Sequence, residues 1–346
     1  MTGFEHISII KKTLIAAGLL VIAGMFSACG PNENPLVVVP EPEFETIEID
    51  ANGMGMHYYS LKDKQVIAAL PMNSWDLRIC AQTDKYYFYV NTGKNMRIAK
   101  YDGKFSDAIN VNTISQWQTD LVKNGKILTA MGAWGDFSFA NPKSYGFTYV
   151  VDLGYLNMAG EFGYRKIEIL GCSANTYTIK YGLLDDVNGD TIEIAKSATH
   201  NNVFFSFANG GNEVKIEPPA SDWDLLFTQF GLATQVLKDS IAIDTTFSLT
   251  DMVFLNNTGR QLFCDTLKTF DNITFWDAEN YSYSQNVDFI GNRWRYFDSG
   301  TNQFVLRKQK VFVLRDLQNH LYKFEFTKVD KSIPGKTRIE FKVKNM

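Results

Sequence analysis

Few side chains in this sequence have both the type and the setting for chemistry. Met131 sits in the small-residue run Ala130-Met-Gly-Ala-Trp134, with Trp134 and Phe137 as aromatic neighbours. A thioether between two rings can wall an apolar ligand pocket or fill a gap in a core. Tyr281 and Tyr283 lie in the polar run Asn280-Tyr-Ser-Tyr-Ser-Gln-Asn286, where a flat ring and a hydroxyl suit a binding surface. His57, His200 and His320 stand far apart, each without a ligating neighbour, and read as edge or surface residues. No Ser–His–Asp or Cys–His set, no His-Glu-x-x-His pair and no phosphate-cradling glycine loop is present, so the chain reads as a non-enzyme. Asp185-Asp-Val-Asn-Gly-Asp190 resembles a calcium loop only in part, because no glutamate stands at its twelfth position; it reads as a turn.

One cysteine stands apart from this set. Lys11 and Lys12 precede the apolar run Thr13 to Phe26, and small residues Ser27 and Ala28 lead into Cys29. Those are the charged, apolar and cleavage regions of a secretory signal. The run is shorter than the roughly 20 residues a spanning helix needs. Phe-Ser-Ala-Cys resembles the lipobox of bacterial lipoproteins, although Phe26 replaces the usual aliphatic residue. The resemblance implies cleavage after residue 28, diacylglycerol on the Cys29 thiol with further acylation such as palmitate, and a membrane partner held through that lipid. It implies an outer-membrane location, on the cell surface or the periplasmic face. Residues 29–45 hold four prolines and several acids and read as a semi-extended tether, with Leu36 to Val39 as a possible edge strand.

Composition narrows the rest. The net charge is −4 and no basic cluster follows the signal, which argues against nucleic acid. Aromatics make up 14% and charged residues 21%, enough apolar mass for a packed core. Cys80, Cys172 and Cys264 follow no metal-binding spacing; as an odd set they leave at least one thiol free.

The elements that must position these residues are strands. Segments rich in Tyr, Phe, Val and Ile recur between Gly, Asn and Asp breaks from Met56–Leu61 to Thr337–Val343, and the fold class expected is all-β. Gln116–Lys123 and Phe247–Val253 are the two stretches expected to be short helices. The chain also repeats. His57-Tyr-Tyr-Ser-Leu61 is echoed by Val203-Phe-Phe-Ser-Phe207, and Trp75-Asp-Leu77 by Trp223-Asp-Leu225. Asn91-Thr-Gly is echoed by Asn257-Thr-Gly, and Tyr149-Val-Val-Asp-Leu153 by Phe312-Val-Leu-Arg-Asp-Leu317. A period near 150 residues is too long for a propeller or solenoid and implies two tandem antiparallel β domains, 46–196 and 197–346. In the Trp-Asp-Leu runs, strand alternation puts Trp and Leu on one face, in the core, and Asp on the other, holding a neighbouring turn.

The second repeat resembles the HmuY family, the haem-binding lipoproteins of Bacteroidetes. The carrying segments are Ser221-Asp-Trp-Asp-Leu-Leu-Phe-Thr228, Leu255-Asn-Asn-Thr-Gly259, Lys310-Val-Phe-Val-Leu-Arg315, Leu321-Tyr-Lys-Phe-Glu-Phe326 and Thr337-Arg-Ile-Glu-Phe-Lys-Val343. The first repeat reads as a more diverged copy. The resemblance implies capture of haem or a related porphyrin, taken from host haem proteins and passed to a TonB-dependent outer-membrane transporter. It implies that two His or Met side chains hold the iron, from loops between the Asn-Thr-Gly segment and the last Trp-x-aromatic strand. Here those loops are Lys94–Tyr145 and Arg260–Arg293; neither contains His, and only Met96 and Met131 are methionines. Met131, Trp134, Tyr281 and Tyr283 are therefore the candidate ligand-binding residues. The alternative is a non-catalytic adhesion or assembly lipoprotein that uses its repeated β domains as protein-binding surface.

Overall fold

The computed structural model describes residues 43–50, 53–156, 160–238 and 241–346; Cys29 and the tether up to residue 42 lie outside them. The strands follow the repeat. Its first copy holds β1 (Glu43–Asp50), β2 (Met54–Ser60), β3 (Gln65–Pro71), β4 (Leu77–Cys80), β5 (Phe88–Val90) and β6 (Arg97–Tyr101). Short strands follow: β7 (Leu121–Lys123), β8 (Lys126–Leu128), β9 (Gly135–Asp136) and β10 (Lys143–Ser144). Then come β11 (Thr148–Asp152), β12 (Tyr155–Leu156), β13 (Gly160–Glu161), β14 (Tyr164–Cys172) and β15 (Thr176–Gly182). The second copy, counted from Asp190 rather than from the expected residue 197, holds β16 (Asp190–Ala195), β17 (Asn202–Ser206), β18 (Asn212–Val214), β19 (Leu225–Lys238), β20 (Ile241–Leu255) and β21 (Gln261–Asp265). It ends with β22 (Arg295–Asp298), β23 (Gln303–Leu306), β24 (Val311–Arg315), β25 (Leu321–Asp330) and β26 (Lys336–Asn345).

Four antiparallel sheets carry the fold. Two have five strands, β16-β15-β14-β11-β6 and β1-β26-β25-β24-β21; two have four, β18-β17-β4-β5 and β20-β19-β2-β3. The strand orders match copy for copy, with one twist. β1, β2 and β3 of the first copy sit in sheets of the second, while β16, β17 and β18 take the matching places in sheets of the first. The sheets therefore cross the boundary expected at 196/197. One compact sandwich runs from β4 to β18, and the other joins β1–β3 to β19–β26.

Alternation along the strands fills three apolar layers. Leu77, Ile79, Phe88, Val203 and Phe205 meet Val151, Ile167, Tyr177 and Ile179 inside the first sandwich. Tyr59, Leu225, Phe227 and Val253 meet Ile49, Phe312, Phe324 and Phe341 inside the second. Between the sandwiches, Tyr58, Phe204, Trp75, Trp223, Leu226 and Phe254 form a third layer. Trp75 and Trp223 thus do not share a face with Leu77 and Leu225. The strands begin at Leu77 and Leu225, so the two-residue alternation never reaches the tryptophans.

The Asp of each Trp-Asp-Leu run ties the copies together. Asp76 Oδ2 accepts from Phe207 N at 2.7 Å, and Asp224 Oδ2 accepts from Leu61 N at 2.8 Å. Each carboxylate also meets a buried cation, Lys94 for Asp76 and Arg260 for Asp224. The expectation of a turn-holding Asp was too local: the backbone N–H it holds belongs to the other copy.

Both expected helices are overturned. Gln116–Lys123 carries a bridge from Gln118 to Ile98 and then β7, and Phe247–Val253 lies in β20, paired with β19 throughout. Sheet partners take up their backbone groups instead: Gln118 exchanges both bonds with Ile98, β7 pairs with β8, and β20 pairs with β19. The single α-helix among the described residues is α1 (Phe275–Glu279), set by a capping box between Thr274 and Asp277. Among the described residues no helix is long and apolar enough to cross a membrane.

Candidate ligand cavity

The outer face of the sheet β18-β17-β4-β5 is only partly covered. At β17 it carries Phe204 into the layer between the sandwiches. At β4 and β5 alternation turns Arg78, Cys80, Tyr87 and Tyr89 outward, opposite Leu77, Ile79 and Phe88 in the core. These outward residues floor a cavity of about 700 Å³. That lies within the roughly 300–1,000 Å³ range of small-molecule sites.

The other walls come from both copies. The β7–β8 hairpin contributes Gly125 to Leu128, the following loop contributes Gly132, Ala133 and Phe137, and the second copy contributes Asn257 and Gln285 to Val287. Gly125 is required where these meet. Its φ is +77°, a Cβ there would collide with the Asn286 side chain, and its carbonyl accepts from Val287 N at 3.0 Å. Asp120 fixes the remaining wall: its two carboxylate oxygens accept from Val90 N at 2.9 Å and Ala130 N at 2.8 Å.

Charge and rings define what such a cavity holds. The Arg78 guanidinium lies 4.4 Å from the Tyr89 ring centroid, and Tyr87 and Tyr89 sit 6.2 Å apart. Among the described residues Arg78 makes no ion pair, and its buried Nε has no hydrogen-bond partner. Lys85 and Lys126 add two cations to the rim. Burial pushes the Tyr89 phenol up to about 12 and raises the Cys80 thiol, so neither is poised to ionise. No His or Met lines this cavity, and the described residues contain no cluster of three His, Cys, Asp or Glu able to hold a metal.

The side chains singled out from the sequence are packed nearby but turn elsewhere. Trp134 is buried and donates its indole N–H to Tyr86 O at 2.7 Å. Met131 is buried in the same core and borders a separate hollow with Lys100, Phe147 and Tyr149. Tyr281 stacks on Phe263 at 4.0 Å with its hydroxyl on Asp265, and Tyr283 donates to Ala278 O at 2.8 Å. The two pairs belong to different apolar clusters. Their loops nevertheless converge, since Gly132, Ala133 and Phe137 face Gln285, Asn286 and Val287 across the cavity.

The three histidines among the described residues stay off this wall: His57 Nε2 bonds Met54 O, His200 Nδ1 meets Ser197 Oγ, and His320 Nδ1 pairs with Asp316. Cys80, Cys172 and Cys264 are free thiols. Arg78, Tyr87 and Tyr89 were missed from the sequence. Their signal was present, because in the strand expected at Tyr86–Val90 alternation leaves two tyrosines on the face away from the core.

No curated protein and no solved structure shows a significant match to the chain. The sequence model described as HmuY protein matches residues 52–342, a single span across both copies of the repeat. The all-β sheets, the paired copies and that span together place the chain: it belongs to the HmuY family.

Proposed function

We propose that this protein captures haem or a related porphyrin in the cavity between its two sandwiches, as a lipid-anchored protein of the outer membrane. Cys29 carries the acyl chains, and delivery to a TonB-dependent transporter follows the family pattern. The observation that carries the reading is the unpaired Arg78 guanidinium in a ring-walled cavity of suitable volume. A porphyrin offers a flat apolar face for Tyr87, Tyr89 and Phe137, and carboxylates for Arg78, Lys85 and Lys126. Bidentate Arg–carboxylate bonds are among the stronger polar contacts. The loops Lys94–Tyr145 and Arg260–Arg293, which the resemblance marks as ligand-holding, both reach this cavity.

The residues fit the tetrapyrrole plane and its carboxylates better than its iron. Imidazole and thioether are absent from the lining, and the phenol and thiol present are pushed toward their neutral forms. The cavity should therefore bind iron-free protoporphyrin about as well as haemin. Titration of the full chain by absorbance and by tryptophan quenching tests this. Saturable binding of both is expected, weakened about tenfold by Arg78→Gln, a loss of roughly 1.4 kcal/mol. Lys85→Gln and Lys126→Gln, on the rim, should each weaken it less. Absence of saturable binding by either porphyrin, or binding indifferent to all three substitutions, would overturn the assignment and leave the adhesion reading.

A further inference from the structure

The end of the second sandwich carries an apolar tip that the cavity does not use. Leu267 is 90% exposed, Trp276 77% and Phe275 54%. Large side chains this open, gathered in one place, mark an interaction site. They are gathered by Lys268, whose ammonium donates to Asp277 Oδ1 at 2.6 Å and so ties the Leu267 loop to α1. The tip is rigidly seated on its sheet. Lys323 Nζ donates to the carbonyls of Phe270 and Ile273, and Met346 packs on the cluster of Phe270, Ile273 and Ala278.

The same end of the sheet is where the chain enters the fold. β1 begins at Glu43, opposite Val343 near the chain terminus, and Phe44 pairs with Lys342. The Lys342 ammonium lies 4.3 Å from the Phe270 ring, beneath the tip. Phe44 itself is 71% exposed. The residues between Cys29 and β1, Gly30 to Pro42, let Cys29 lie at most roughly 50 Å from Glu43. Whatever holds Cys29 is therefore within reach of Leu267, Phe275 and Trp276.

We infer that this tip docks on the phospholipid bilayer that holds the anchor, with Trp276, Phe275 and Leu267 seated at the headgroup level. The inference rests on the proposed acylation of Cys29 for its proximity. Tryptophan favours that interface because its ring is apolar and its N–H is wet. Beside the tip Lys268 pairs with Asp277 and Lys342 with Glu325, so the exposed apolar side chains carry the contact and no anionic lipid is needed. The acyl chains on Cys29 suffice to hold the protein at the bilayer, so the second contact serves to fix the orientation of the cavity.

The test uses full-length acylated protein in phosphatidylcholine vesicles, with brominated acyl chains as the quencher. Recovery with the vesicles reads the anchor, and tryptophan quenching reads the tip. Quenching that Trp276→Ala removes, with vesicle recovery unchanged, is expected. Recovery without Trp276-dependent quenching overturns the docking but keeps the anchor. A second arm carries Cys29→Ser and an N-terminal hexahistidine tag on nickel-chelating lipid, which supplies proximity without acylation. Loss of Trp276-dependent quenching in that arm overturns the docking whatever the fate of Cys29.

Discussion

The two Asp–cation pairs at the heart of the repeat occupy matching places but are not equally supported. Arg260 meets Asp224 and also donates to the carbonyls of Ala220, Ser221 and Thr258. Lys94 meets Asp76, and its other close neighbour is the Phe162 ring, 4.5 Å from the ammonium. Removing one partner of a buried pair leaves the other charge uncompensated, typically at about 3–5 kcal/mol. Asp76→Ala should therefore cost about that much, and Asp224→Ala less, because the guanidinium keeps three acceptors. Urea unfolding of both variants checks the order. Adding Lys94→Met to Asp76→Ala should recover part of the loss; equal costs for the two single variants would show that the carbonyls around Arg260 contribute little. The sequence displayed Trp-Asp-Leu twice and so marked these aspartates. It did not display their cations, which lie 18 and 36 residues away along the chain.

At the scale of elements, the strand exchange decides how the chain can be divided. β17 pairs with β4 and β2 with β19, so each copy supplies the strands that close the other's sandwich. A fragment 43–196 has β4 without β17, and a fragment 197–346 has β19 without β2 and β26 without β1. Each would expose an unpaired edge beside an open core, a condition that invites aggregation. The two fragments should stay unfolded or aggregate when produced separately and combine one to one when produced together. Near-UV circular dichroism and co-purification read this; cooperative unfolding of the isolated 197–346 fragment would show that the exchange is dispensable. Here too lies the limit of what was legible. Alternation identified most strands, from Met56–Leu61 to Thr337–Val343, but it missed β1 and left part of the longest strand, β20, as a helix. It carried no information on partners, because His57-Tyr-Tyr-Ser-Leu61 and Val203-Phe-Phe-Ser-Phe207 have the same pattern and either can fill either place. The cavity was hidden for the same reason. Its floor comes from the first copy and its other walls from both, and only the pairing brings Arg78 under Asn286.

Across the whole molecule, the charge around Arg78 links stability to pH and to the ligand. Asp120 and Glu217 are both buried, and desolvation pushes each carboxyl up to about 7. Their ordinary values are 3.8 and 4.5. Between those values and about 7 the folded protein holds protons that the unfolded chain has released, so stability falls as pH rises through that window. The penalty is complete above about pH 7 and absent below about pH 4. His57 opposes this on the acid side: burial lowers its pKa from 6.5, so the unfolded chain protonates first as pH falls. Two carboxyls against one imidazole leave the melting temperature a few degrees higher at about pH 6 than at about pH 8. Glu217→Gln, which can still accept from Asn201 N, should flatten that slope, and a melting temperature lower at about pH 6 than at pH 8 would contradict it. The field of Arg78 lowers both carboxyls. A ligand carboxylate paired with Arg78 offsets that field and raises them further, so binding takes up protons. Porphyrin affinity should then increase as pH falls from about 8 to about 6, and calorimetry in buffers of different ionisation enthalpy should register net proton uptake. Proton release, or no exchange, would place the ligand's carboxylates away from Arg78.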